Sequence, residues 1–182
     1  EKADLGISFD GDGDRLGVLS KDKELIPGDI LTTFLSGSIL KIRQNEKIIF
    51  DIKSSQTAFE LVKKQNGTPV ISKTGHSIIK SKIKETGAPL AGEMSGHIFF
   101  NDNWFGFDDA LYASLRCLQE IKIREGGLVN YLETIPKSFT SPEIRIDCDE
   151  KIKFEAINKI VQLCSKEYEA SKILTLDGIR IT

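Results

Sequence analysis

Residues 48–72 read IIFDIKSSQTAFELVKKQNGTPVIS. The apolar run at 48–52 reads as a buried strand. Residues 56–65 follow with Ala58, Leu61 and Val62 on one helical face, and Asn66-Gly67 closes that helix. Pro69 to Ser72 reads as the next strand, and residues 77–85 as a short helix ended by Gly87. Strand, helix, strand, helix in this order argues an α/β layer with a largely parallel sheet.

Working outward, Pro27-Gly28-Asp29 supplies a break and an N-cap. Leu31, Phe34, Leu35, Ile39 and Ile42 then fall at helical spacing. Leu90-Ala91 and Ile98 to Phe100 read as strands flanking a loop. A helix is expected from Asp108 to Ile123, with Leu111, Leu115 and Leu118 on its apolar face, and a shorter one over 128–134. Residues 136–142 are rich in Ser, Thr and Pro and read as a linker. Beyond lie a strand at 143–146, a helix carrying Ile157, Ile160, Val161 and Cys164, and strand pieces near Ile173 and Ile179. That is an α+β unit with too few strands to close a core.

The whole chain has 182 residues, 40% hydrophobic and 29% charged, with 25 basic against 27 acidic side chains. This composition is globular, not disordered. The near-neutral balance gives no reason to bind nucleic acid or an anionic membrane, and no apolar run is long enough to span a bilayer. Cys117, Cys148 and Cys164 are too few and too irregular for a disulfide framework or a zinc site. A reducing, cytoplasmic setting is expected. The chain starts at Glu1 shortly before an apolar run and stops at Thr182 inside another, so both ends read as cut.

The sharpest chemistry lies in Asp10-Gly11-Asp12-Gly13-Asp14-Arg15, between strand-like runs at 5–9 and 16–19. Three carboxylates at alternate positions repel one another unless a cation joins them. Oxygen-only donors select a hard ion, Mg²⁺ or Ca²⁺. An EF-hand fails: its loop needs Gly at position six and Glu at twelve, where this chain has Arg15 and Lys21. Two readings stay open. In one, Asp10 is the nucleophile of a haloacid-dehalogenase-like phosphatase, Asp12 its acid partner and Asp108-Asp109 a distal pair. Those last two read more simply as the N-cap and first turn of the long helix. In the other, Asp10, Asp12 and Asp14 hold Mg²⁺ against a phosphate supplied elsewhere, with Arg15 beside it. A non-catalytic metal- or sugar-binding module is a further alternative.

The loop resembles the metal loop of the α-D-phosphohexomutase family, in its bacterial phosphomannomutase/phosphoglucomutase branch. Asp51-Ile52-Lys53, Lys73-Thr74-Gly75-His76-Ser77, Gly92-Glu93-Met94-Ser95-Gly96-His97, Trp104-Phe105-Gly106-Phe107-Asp108-Asp109 and Thr175-Leu176-Asp177-Gly178 stand in the family's order and spacing. The resemblance implies a three-layer α/β/α domain with a mostly parallel sheet, followed by an incomplete C-terminal α+β domain. It implies residues 1–24 as the end of a second domain, 25–136 as a third and 137–182 as part of a fourth.

The resemblance also implies an activity. A Mg²⁺-dependent enzyme interconverts hexose 1- and 6-phosphates through a phosphoserine and a glucose or mannose 1,6-bisphosphate. Asp10, Asp12 and Asp14 would be metal ligands, with Arg15 near the phosphoserine. Glu93 and Ser95 would bind sugar hydroxyls, on a loop with Met94 and Gly96, and His97, Lys53 and His76 would line the cleft. The partners implied are the hexose phosphate and the remaining domains of the same protein. No Ser-His-Asn-Pro-type phosphoserine loop occurs in the chain, so this chain alone is expected to be inactive. Trp104 and Phe105 read either as a sugar platform or as a loop anchor, and Lys80, Lys82 and Lys84 as a solvated face.

Overall fold

Ile48 and Phe50 point to one side of their strand and Ile49 to the other, and all three are fully buried. A strand covered on both faces needs a continuous apolar run, not an alternating one. A computed structural model shows this arrangement and describes residues 3–22, 24–137 and 144–182. The chain divides into two compact units, Glu1–Pro136 and Lys137–Thr182.

The first unit opens with an antiparallel hairpin, β1 (Leu5–Phe9) and β2 (Leu16–Ser20). Helix α1 (Gly28–Ile42) follows, then β3 (Lys47–Asp51), α2 (Gln56–Lys64), β4 (Thr68–Ser72), α3 (His76–Thr86), β5 (Leu90–Gly92), β6 (Ile98–Phe100), α4 (Ala110–Ile123) and α5 (Gly127–Glu133). The four-stranded sheet runs β4-β3-β5-β6. Its first three strands are parallel, and β6 returns antiparallel from β5 through a tight loop.

Helices cover both faces. On one side Ile48, Phe50, Leu90, Ile98 and Phe100 pack with Leu31, Phe34 and Leu35 of α1, Ala58 and Val62 of α2, and Ala113 and Cys117 of α4. On the other, Ile49, Ala91 and Phe99 pack with Ile79 and Ile83 of α3. This is a three-layer α/β/α fold with a mostly parallel sheet.

Some local expectations are corrected. Asp29 is not an N-cap. Pro27 takes that position, and Asp29 lies buried inside the first turn of α1, where its Oδ2 accepts a 2.8 Å hydrogen bond from Ser55 N–H. The core face of α4 is not its leucine stripe: Leu111, Leu115 and Leu118 are exposed, and Ala110, Ala113 and Cys117 face inward. Small side chains let the helix lie close to the core, so the bulky ones are left on the outer face.

In the second unit α6 (Lys153–Glu167) precedes a two-stranded antiparallel ribbon, β7 (Ile173–Leu174) and β8 (Arg180–Ile181). No residue of α6 is buried, as expected of an α+β piece with two short strands. The strand expected at 143–146 is absent from its described part, since Ile144 to Ile146 are irregular and both isoleucines are exposed. No strand among the described residues pairs with them to complete a ladder. Glu143, and the expected linker from residue 138 on, lie outside the described residues.

Candidate functional site

The acidic loop is fixed at both ends. Gly13 N–H donates to Asp10 O at 3.3 Å in a turn with Gly13 at φ 75°, a conformation that favours glycine. Gly13 O accepts from Ala110 N–H at 3.1 Å, tying the loop to the start of α4. Asp10 accepts from Arg15 twice, from N–H at 3.0 Å and from Nε at 2.6 Å. The backbone bond from Arg15, then its side chain, hold the Asp10 carboxyl well below the usual range. Asp14 is pushed up, first by burial. Oxygens of Asp10, Asp12 and Asp14 converge within 4.8 Å of one another, and Asp14 Oδ1 is buried with no hydrogen-bond partner among the described residues. Three oxygen donors around an unsatisfied carboxylate suit a hard divalent cation.

The β5–β6 loop is closed by Glu93 N–H donating to His97 O at 2.9 Å and by Gly96 N–H donating to Glu93 O at 3.1 Å. Gly96 sits at φ 97°, and Leu16 N–H donates to Gly96 O at 3.0 Å. A bridge joins Arg15 to His97. The acidic loop and the Glu93–His97 loop are thereby tied together along β2. Between them lies a cleft of about 330 Å³, lined in part by Asp10, Arg15, Met94, Ser95 and Gly96. Gly28 lets the start of α1 lie against the second loop: a Cβ there would sit 2.3 Å from Glu93 O.

Buried carboxylates tie the remaining loops to this one. Glu93 is 2% exposed, and its Oε1 accepts from Gly75 N–H at 2.6 Å. Asp51, at the end of β3, accepts from Ser54 Oγ at 2.5 Å and from Met94 N–H at 3.3 Å. Burial is the main cause that raises both carboxyls. Lys53 is the exposed residue of the turn after Asp51, between buried Ile52 and Ser54, and its charge acts on that carboxylate.

Asp108 is the hub that sequence reasoning missed. It is not the helix cap: Asp109 Oδ1 accepts from Tyr112 N–H at 2.9 Å and fills that role. Asp108 Oδ2 lies 3.2 Å from His76 Nδ1 and 3.1 Å from His97 Nδ1, and Oδ1 lies 3.1 Å from Lys80 Nζ. The His97 contact is one of ion-pair distance without hydrogen-bond alignment. Burial pushes the Asp108 carboxyl up, but Lys80 and the charge of His97 outweigh it and hold it below its ordinary value. Lys80 is therefore not merely a solvated charge. Two successive acids before a helix were the available signal, since only one can cap it. Trp104 stacks on Tyr112 at 4.2 Å and 6°, which makes it an anchor, whereas Phe105 is exposed.

The structure thus brings Asp10, Asp12, Asp14, Arg15, Glu93, Met94, Ser95, Gly96, His97 and His76 into one connected set. Lys53 is joined to it through Asp51. The phosphatase reading of Asp10 needs a buried strand before the nucleophile. Here β1 is half exposed, Phe9 is 47% exposed, and the Asp10 carboxylate is engaged by Arg15.

Residues 27–139 match the family model described as phosphoglucomutase/phosphomannomutase, alpha/beta/alpha domain III. The chain belongs to this family. It is 40% identical over 179 residues to a phosphomannomutase/phosphoglucomutase of Pseudomonas syringae pv. tomato, covering 98% of the chain and 38% of that protein. It is 42% identical over 181 residues to a phosphoglucomutase of Neisseria gonorrhoeae, covering 98% and 39%. A crystal structure of a phosphoglucomutase/phosphomannomutase family protein from Burkholderia thailandensis superposes with a TM-score of 0.85 at 38% identity, covering all of the chain and 38% of that one. The chain therefore spans about two fifths of the length of these relatives. No helix among the described residues is long and apolar enough to cross a membrane.

Proposed function

We propose that this chain is the metal- and sugar-binding portion of a Mg²⁺-dependent phosphohexomutase that interconverts hexose 1- and 6-phosphates. The reading includes a phosphoserine and a hexose 1,6-bisphosphate supplied with the rest of the protein. One observation carries it: the cleft that Asp10 and Arg15 share with Met94, Ser95 and Gly96. Phosphoryl chemistry on a sugar needs a charge-neutralising group and a hydroxyl-reading loop side by side. We take residues 1–24, 25–136 and 137–182 as the end of domain 2, domain 3 and part of domain 4. A cytoplasmic setting goes with the reading, and the three cysteines are free.

Asp10, Asp12 and Asp14 would hold the cation. Bound there, it offsets the charge of the phosphoryl group in transfer. Arg15, half exposed at the cleft, would orient that group while its Nε stays on Asp10. Glu93 and Ser95 would bind sugar hydroxyls. Met94 and Gly96 would shape that loop, and Lys53 and His76 would bind the distal phosphate. His97 presents Nδ1 to Asp108, which leaves Nε2 to take a proton from an attacking sugar hydroxyl and return it to the leaving oxygen. The Asp108 carboxylate beside Nδ1 stabilises the charge that the ring gains with the proton.

The test is the whole protein assayed with glucose 1-phosphate and mannose 1-phosphate. The expected result is conversion to the 6-phosphates that is lost on Glu93→Ala. Release of inorganic phosphate in place of isomerisation would overturn the reading.

A further inference from the structure

Three side chains of the Asp108 cluster, those of Asp14, His97 and Asp108, offer donor atoms that converge on one point. His97 Nδ1 lies 3.1 Å from Asp108 Oδ2 and 3.7 Å from Asp14 Oδ2, and His76 Nδ1 lies 3.2 Å from Asp108 Oδ2. Zinc with ligands at about 2.0–2.1 Å places neighbouring donors about 3.3 Å apart. The atoms offered by Asp14, His97 and Asp108 all fall within 4.8 Å of one another. His97 Nδ1 is buried, and despite its carboxylate neighbours it makes no aligned hydrogen bond among the described residues. Lys80 pairs with Oδ1 of Asp108, and His76 Nδ1 hydrogen-bonds Oδ2, the oxygen that lies beside His97 Nδ1.

We propose that Asp14, His97 and Asp108 form a second cation site, for a borderline divalent ion of the zinc class, with His76 positioning the Asp108 carboxylate through its 3.2 Å hydrogen bond. The His97 imidazole nitrogen sets its chemistry apart from the oxygen-only loop, because magnesium prefers oxygen donors and zinc takes both. The two sites share Asp14, through Oδ2 here and Oδ1 on the loop side. Zinc on His97 Nδ1 draws electron density from the ring and weakens Nε2 as a base, so zinc inhibits turnover and excess magnesium does not relieve it. That consequence rests on the role given to His97 above, whereas the binding does not.

The experiment titrates the purified chain with Zn²⁺ by calorimetry in millimolar Mg²⁺, and with Co²⁺ by visible absorption. The expected result is one equivalent of zinc bound at micromolar concentration and a Co²⁺ band of four-coordinate intensity. His97→Gln abolishes both. His76→Gln, at an exposed position that leaves folding intact, weakens zinc about tenfold. Asp12→Asn changes neither. No binding in Mg²⁺, or binding lost with Asp12→Asn and indifferent to His76→Gln, overturns the proposal. If zinc binds as described but leaves turnover of the whole protein unaffected, the site stands and the role of His97 falls.

Discussion

Nδ1 of His97 lies 3.1 Å from Oδ2 of Asp108, whose other oxygen is 3.1 Å from Lys80 Nζ. The carboxylate is 6% exposed, so its charge acts on the ring with little screening by water. In the whole protein, Asp108→Asn keeps the shape and removes the charge. The expected outcome is a fall in kcat of about 100-fold, the scale of general acid–base catalysis, with KM nearly unchanged. Steady-state kinetics checks it, and a circular dichroism spectrum shows that the fold is kept.

Gly28 offers a test of the loop geometry. Its Cβ position falls 2.3 Å from Glu93 O and 2.8 Å from Gly96 N. Both neighbours are backbone and cannot rotate away. Gly28→Ala should cost about 1–3 kcal/mol, as overpacking does, and raise KM by displacing the Glu93–His97 loop. Chemical denaturation reads the first effect and kinetics the second.

Glu93 links pH to stability. Burial raises its carboxyl above the ordinary glutamate value. A carboxyl raised in the folded state favours folding fully below its unfolded value, and that contribution is lost as pH rises through the folded value. Glu93→Gln removes the buried charge and still offers Gly75 N–H an acceptor. The variant should melt higher than the natural chain at pH 7, with the gain vanishing near pH 4. Sugar binding by the whole protein should weaken in the same variant. Thermal melts at the two pH values decide the first part.

Asp12 is exposed beside the two constrained carboxylates Asp10 and Asp14. Asp12→Asn should lower magnesium affinity about tenfold by removing one charged ligand. The melting temperature in metal-free buffer should stay the same. Calorimetry with Mg²⁺ and a thermal melt measure the two.

Much of the layer architecture was legible because Ile48, Ile49 and Phe50 are uniformly apolar while Ala58, Leu61 and Val62 repeat at helical spacing. The acidic loop was legible because three close carboxylates have no structural benefit in a turn. The face of α4 was not. Leu111, Leu115 and Leu118 outweigh Ala113 and Cys117 on any hydrophobic scale, yet close approach to the core selects the small side chains. Asp108 was hidden for a different reason. Its partners His76, Lys80 and His97 come from α3 and the β5–β6 loop, and only the folded sheet brings them together.

The central claim is that this chain supplies the cation and the sugar contacts of a phosphohexomutase, and not those of a phosphatase. Phosphorus NMR of glucose 1-phosphate with Mg²⁺ tests it most directly, run on the chain alone and on the whole protein. The account predicts no new resonance with the chain alone. With the whole protein it predicts a growing 6-phosphate resonance and no inorganic phosphate. An inorganic phosphate resonance produced by the chain, and abolished by Asp10→Asn, would contradict it.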